Sequence, residues 1–105
     1  MTGVQTCALP ILWDVNSDGL EAVAKEIEAA GGVAHSYKCN LRDRDEIYKT
    51  AKKVREEVGE VSLLVNNAGI VTGKKLLETS DEEILATFDV NSLAHFWVKI
   101  GRAHV

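Results

Sequence analysis

Val61-Ser62-Leu63-Leu64-Val65-Asn66-Asn67-Ala68-Gly69 is the stretch on which the fold turns. Its first five residues form a nearly continuous apolar run, as expected of a parallel strand buried on both faces. Two amides and two small residues follow at the carboxyl end of that strand. Amides there can hydrogen-bond neighbouring backbone, while Ala68 and Gly69 let a flat ring approach closely. An ordinary Asn-Gly-rich turn has the same composition, so the flanking sequence decides between them.

Upstream, Leu12-Trp13-Asp14 is the tail of an apolar strand that ends in a carboxylate. Ser17 to Ala30 predicts a helix, with Leu20, Val23, Ile27 and Ala30 on one face. Gly31-Gly32 stops it, since glycine tolerates the left-handed turn at a helix end. Val33 to Lys38 predicts a short strand. Asp43 to Val58 predicts a second helix with Ile47, Ala51, Val54 and Val58 as its stripe, and Asp43 with Glu46 resembles a capping box. Gly59 ends it. Downstream, Ser80-x-x-Glu83 caps a third helix that runs to about Val98. Strands and helices alternate, which predicts an α/β fold: a partial doubly wound parallel sheet of three strands and three helices. Ligands in that class bind beyond the carboxyl ends of the strands.

The chain has 105 residues, enough for one small domain. It is 46% hydrophobic and 27% charged, a globular composition. A net charge of −4 speaks against a general nucleic-acid or anionic-membrane surface. No apolar run approaches the roughly 18 to 20 residues that span a bilayer. Cys7 and Cys39 make neither a disulfide framework nor a zinc pattern.

The ends read differently from the middle. Residues 1–11 (MTGVQTCALPI) carry no charge and hold the only proline, and residues 99–105 (KIGRAHV) follow no helical or strand pattern. Both match in-frame translations of a common short-read sequencing adapter, and both are expected to be non-native. Setting them aside removes Lys99 and Arg102 and no acidic residue, so the 16 acidic residues leave residues 12–98 with a charge of −6. That segment is expected to begin in mid-strand and stop inside a helix, as an internal piece of a longer protein.

Asp14 stands at a strand's carboxyl end. In dinucleotide-binding folds a carboxylate there accepts hydrogen bonds from the adenosine ribose hydroxyls. It would repel the 2′-phosphate of NADP, and Val15 and Asn16 supply no cation to counter that, so NAD is favoured over NADP. A solvated strand-end aspartate that caps the following turn is the structural alternative.

Asp14, Cys39-Asn40-Leu41, Leu64-Val65-Asn66-Asn67-Ala68-Gly69 and Asn91 together resemble the short-chain dehydrogenase/reductase family, over all of residues 12–98. Leu12-Trp13-Asp14 and Asn91-Ser92-Leu93-Ala94-His95-Phe96-Trp97 are most similar to the branch of 17β-hydroxysteroid dehydrogenase 11/13-like and epidermal retinol dehydrogenase-like enzymes. The resemblance implies a Rossmann-like fold whose first strand and carboxyl-terminal half lie outside this chain. By the same resemblance Asp14 binds the adenosine ribose, and Asn40 and Leu41 contact the adenine. Many relatives carry Asp in place of Asn40, and an amide can still accept from the adenine amino group. Asn67, Ala68 and Gly69 would line the cofactor, and Asn91 would be the asparagine of the catalytic tetrad, holding a water in the proton relay.

Asn91 is also reached from spacing. Ile84, Phe88, Asn91 and His95 share one helix face, so Asn91 is expected to point along the apolar stripe toward the core, where its amide needs partners. His95 is expected to be a packed histidine. Tyr48-x-x-x-Lys52 copies the family's catalytic spacing, but it precedes the Asn66-Asn67 stretch, and Tyr48 is expected to be a helix-face aromatic. Cys39 reads as a buried thiol, and Lys74-Lys75 as a solvated loop.

The family's chemistry is hydride transfer between a nicotinamide and an alcohol or carbonyl carbon, with a tyrosine as general acid/base and a serine orienting the substrate. Those groups are expected beyond Val98, and the glycine-rich loop before Leu12. The resemblance implies a small lipophilic alcohol or ketone as substrate, a retinol- or steroid-like lipid, and a homodimeric parent at the endoplasmic reticulum or a lipid droplet. A ketoreductase of the same fold acting on another substrate, and a non-catalytic nucleotide-binding remnant, are the alternatives. The isolated chain is expected to be unstable and inactive. It leaves sheet edges unpaired and must offset roughly 1.5 kcal/mol of ordering entropy per residue.

Overall fold

The computed structural model describes residues 9–104. Of the segment expected to be adapter-derived, residues 1–8, including Cys7, lie outside that range, as does Val105. The chain divides between Cys39 and Asn40 into two compact units.

In the first unit, β1 (Ile11–Asp14) pairs in parallel with β2 (His35–Lys38), Ile11 opposite His35 and Asp14 opposite Lys38. Parallel neighbours need a crossover, and α1 (Ser17–Ala29) provides it. Asn16 caps α1: its Oδ1 accepts from Gly19 N at 3.0 Å. The helix ends as its two glycines predict. Gly31 adopts φ +91°, its N–H reaches Glu28 O, and Gly32 N–H reaches Ile27 O. This pair of bonds is the Schellman arrangement. Leu20 of α1 is buried with Tyr37 and Cys39. Val23 and Ala30, expected on the same buried face, are exposed.

In the second unit, α2 (Arg44–Glu57) buries Ile47, Ala51 and Val54 as the stripe predicts, and Val58 is half-buried. Thr50 is buried too, its hydroxyl donating to Glu46 O at 2.8 Å. Asp43 caps the helix by accepting from Glu46 N at 3.1 Å. The reciprocal half of the expected capping box is redirected, because Glu46 Oε1 accepts instead from Asn40 N, three residues further upstream.

Two expectations are corrected here. Val61 to Val65 is not a paired strand, since among the described residues only β1 and β2 form a ladder. A ladder needs a neighbour on at least one edge. With none, the run keeps Leu63 and Val65 exposed, at 78% and 72%. The expected third helix is broken into three pieces: α3 (Asp81–Phe88), a π-helical turn (Asp89–Leu93) and α4 (Ala94–His104), which takes in residues 99–104, expected to follow no helical pattern. A short 3₁₀ turn, Leu76–Glu78, precedes α3. Ser80 caps α3 as expected, its Oγ accepting from Glu83 N. α4 packs on α2, and a Cβ on Gly101 would come within 3.1 Å of Ala51 Cβ. Ala94, at the start of α4, is fully buried.

Candidate functional site

Asp14 ends β1 and is exposed. Its Oδ1 accepts from Asn16 N at 3.0 Å, and its backbone carbonyl accepts from Cys39 N at 2.9 Å. The strand end therefore fixes the backbone, and the turn fixes one carboxylate oxygen. A carboxylate accepts at two oxygens, so Asp14 can serve the turn and a hydroxyl pair at once.

The remaining candidates belong to the second unit. Asn40 is exposed, and its Oδ1 accepts from Arg42 N at 3.0 Å, an Asx turn. Asp43 N donates to Asn40 O at 3.0 Å, and Leu41 between them is half-buried. Asn40 lines an open cleft of about 500 Å³ with Arg42, Asp43, Arg44, Asp45, Asp89 and Trp97. Asn67, Ala68, Gly69 and Asn91 do not line it.

Arg42 closes one side of this cleft by donating to Glu82 and, from Nε at 3.1 Å, to Asp89. Those hydrogen bonds, Glu82's first, push its already high pKa further up. Arg44 places its guanidinium 5.5 Å from the centroid of the Trp97 ring, within cation–π range.

The loop after Val65 is tied to the π turn. Asn91 Oδ1 accepts from Ile70 N at 2.8 Å, and Asn91 Nδ2 donates to Ile70 O at 2.8 Å. Both ends of the amide are thus spent on the two polar groups of one residue. This corrects the expected burial of Asn91: the side chain is exposed, and Phe88 before it is 62% exposed. Its amide is paired at the surface, with the backbone of Ile70, which is itself exposed. Gly69 sits beside this pair, and a Cβ there would lie 3.4 Å from Asn91 Oδ1. Ala68 O lies 3.2 Å from His95 Nε2.

Sequence reasoning therefore found Asn91 and the loop but missed Ile70 as their joint and Arg42 as a bridge. The i, i+4 spacing of Asn91 and His95 was the available signal for the former. No residue-type pattern marks the latter, because its partners lie 40 and 47 residues away. Among the described residues no group of His, Cys, Asp and Glu is arranged to hold a metal ion, and no helix is long and apolar enough to cross a membrane. Tyr48, half-buried on α2, lies against Gly101 of α4, as a helix-face aromatic does.

Parallel strands and a strand-end carboxylate in one unit, and an Asn-Asn-Ala-Gly loop gripped by a helix in the other, define a class. A family model described as short chain dehydrogenase matches residues 5–101, and the chain belongs to that family. Among curated relatives, estradiol 17-beta-dehydrogenase 11 of Mus musculus is 51% identical over 87 residues. The human 17-beta-hydroxysteroid dehydrogenase 13 and epidermal retinol dehydrogenase 2 are 48% and 47% identical over 88 residues each. These alignments cover 83–84% of this chain and 28–29% of the relatives, so the chain spans less than a third of their length. Among solved structures, a metagenomic short-chain oxidoreductase in complex with NADP superposes with a TM-score of 0.85 at 35% identity, over 91% of this chain and 44% of that one. An actinorhodin polyketide ketoreductase with NADPH gives 0.83 at 31% identity, over 90% and 36%.

Proposed function

We propose that this chain is the nucleotide-binding portion of a nicotinamide-dependent oxidoreductase that interconverts a lipophilic alcohol and its carbonyl, with a retinol- or steroid-like lipid as substrate. The observation that carries the proposal is the two-bond grip of Asn91 on Ile70, which fixes the loop directly after the Asn-Asn-Ala-Gly stretch in a chain of this family. Support for the substrate class comes from the names of the relatives, which are estradiol, hydroxysteroid and retinol dehydrogenases.

The residues present fit a dinucleotide. Asp14 is exposed at a strand end and keeps acceptor capacity beyond its bond to Asn16 N. Ala68 and Gly69 offer a loop surface with almost no side chain. When bound, the nicotinamide group accepts or supplies a hydride at the substrate carbon. The chain's own residues do the rest of what falls to this segment. Asp14 would hold the adenosine ribose through its hydroxyls, Asn40 and Leu41 would border the adenine, and Asn67, Ala68 and Gly69 would face the rest of the dinucleotide. Asn91 would fix the loop through Ile70 and contribute to the site as the asparagine of the catalytic set.

NAD is the proposed cofactor. A carboxylate at Asp14 repels a 2′-phosphate, and neither Val15 nor Asn16 brings a cation beside it. The solved relatives named above carry NADP or NADPH, so the proposal is exposed to a direct test. In the full-length protein that carries residues 12–98, the ratio of KM for NADP to KM for NAD should exceed ten, and D14A should collapse it. A wild-type ratio below one overturns the NAD assignment. A ketoreductase acting on another substrate is the second reading, favoured by the superposition on the polyketide ketoreductase. Comparing turnover of a retinol or steroid alcohol with that of a 3-oxoacyl thioester separates the two.

A further inference from the structure

We propose that His95 is a positioning residue for the dinucleotide loop, holding the Ala68 carbonyl through Nε2–H from the helical turn next to Asn91. The proposal rests on the assignment of Ala68 and Gly69 to the cofactor surface. His95 is half-buried, and its Nε2 stands 3.2 Å from Ala68 O. A carbonyl oxygen has no proton to give, so the contact requires the hydrogen on Nε2.

The loop depends on this contact because it has so few others. Residues 61–74 form no regular element and make no backbone–backbone hydrogen bond to a described residue. Three side-chain bonds replace them around the Asn-Asn-Ala-Gly stretch: Ile70 N to Asn91, Asn91 to Ile70 O, and His95 to Ala68 O. All three come from one helix across the π turn and its junction with α4. In an uninterrupted α-helix, residues four apart are offset around the axis. The wider π turn reduces that offset, so Asn91 and His95 reach the same strip of loop. Asn91 holds the backbone after Gly69 and His95 holds the backbone before it. Gly69 is thereby suspended between two clamps, and its surface stays available to a ligand.

The test uses the full-length protein with two substitutions. H95A removes the donor, and H95Q offers an amide N–H at nearly the same reach as Nε2. Loss of one neutral hydrogen bond is expected to raise KM for NAD about fivefold in H95A, with kcat within twofold of wild type. H95Q should recover most of the loss. Hydrogen exchange of the peptide spanning 66–72, measured without cofactor, should speed up in H95A and return toward wild type in H95Q. Equal impairment of both variants, with unchanged exchange in the loop, would mean that His95 only fills space, and would overturn the proposal. If wild-type protein binds no dinucleotide, the function proposed above falls, and the exchange comparison alone still decides whether His95 clamps the loop.

Discussion

Asn91 spends both halves of its amide on one residue, and the consequences differ by substitution. N91A leaves Ile70 N–H and C=O to water, because the site is exposed, so the stability cost should stay near 1 kcal/mol. N91D keeps an acceptor for Ile70 N–H but sets a carboxylate oxygen against Ile70 O. It should therefore bind cofactor more weakly than N91A, which a fluorescence titration of the two proteins would show. Glu83 gives a pH dependence at the same scale. Its carboxyl is held below the usual carboxylate range chiefly by Lys74, 2.8 Å away, and also by the Ser80 hydroxyl and backbone N–H. A carboxyl with a lowered folded-state pKa stabilises fully above its unfolded value, and the contribution is lost as pH falls through the folded value. Thermal stability of wild type relative to E83Q should thus shrink on acidification below the usual carboxylate range and be flat near neutrality. Asn91 was singled out from the sequence through its neighbours and through resemblance. Its exposure was not legible there, because the backbone that its amide pairs with, at Ile70, lies 21 residues away on an exposed loop.

The elements that matched the sequence best are those whose stability is local. α1 and α2 each have a capping side chain at the start, α2 has a buried stripe, and α1 ends on a left-handed glycine, all within reach of residues a few positions apart. Replacing Asn16 with Ala should cost about 1 kcal/mol through the lost bond to Gly19 N. Ile47, with no exposed surface, should cost about 2–5 kcal/mol on truncation to Ala. Both are checked by denaturant titration. Val61 to Val65 failed for the opposite reason. Its strand character depends on partners elsewhere in the sheet, and an apolar run specifies that it wants neighbours without supplying them. The redirected Glu46 carboxylate is a smaller case. Asn40 N, three residues before the cap, competes for it and wins, which the S/T/D-x-x-E pattern does not encode.

Taken whole, the chain exposes much apolar surface. Val71, Leu76 and Leu77 are 91%, 80% and 98% exposed, and Phe88 and Phe96 are 62% and 61% exposed. Patches of this kind mark surfaces that are covered in the complete assembly or that aggregate when left bare. The isolated 105-residue chain should bind a hydrophobic dye and self-associate in sedimentation. We propose that residues 1–11 and 99–105 are adapter-derived. Reading the source transcript outward from residues 12–98 should then meet a glycine-rich loop upstream and a Ser with Tyr-x-x-x-Lys downstream.

We propose that residues 12–98 belong to a nicotinamide-dependent dehydrogenase, with Asp14 recognising the cofactor's ribose and the Asn67–Gly69 loop lining the cofactor. The most direct measurement is a titration of the full-length protein with NADH and NADPH, followed by tryptophan fluorescence. Saturable binding is expected for both, at least tenfold tighter for NADH, with the difference lost in D14A. Absence of saturable binding for either dinucleotide would contradict the account.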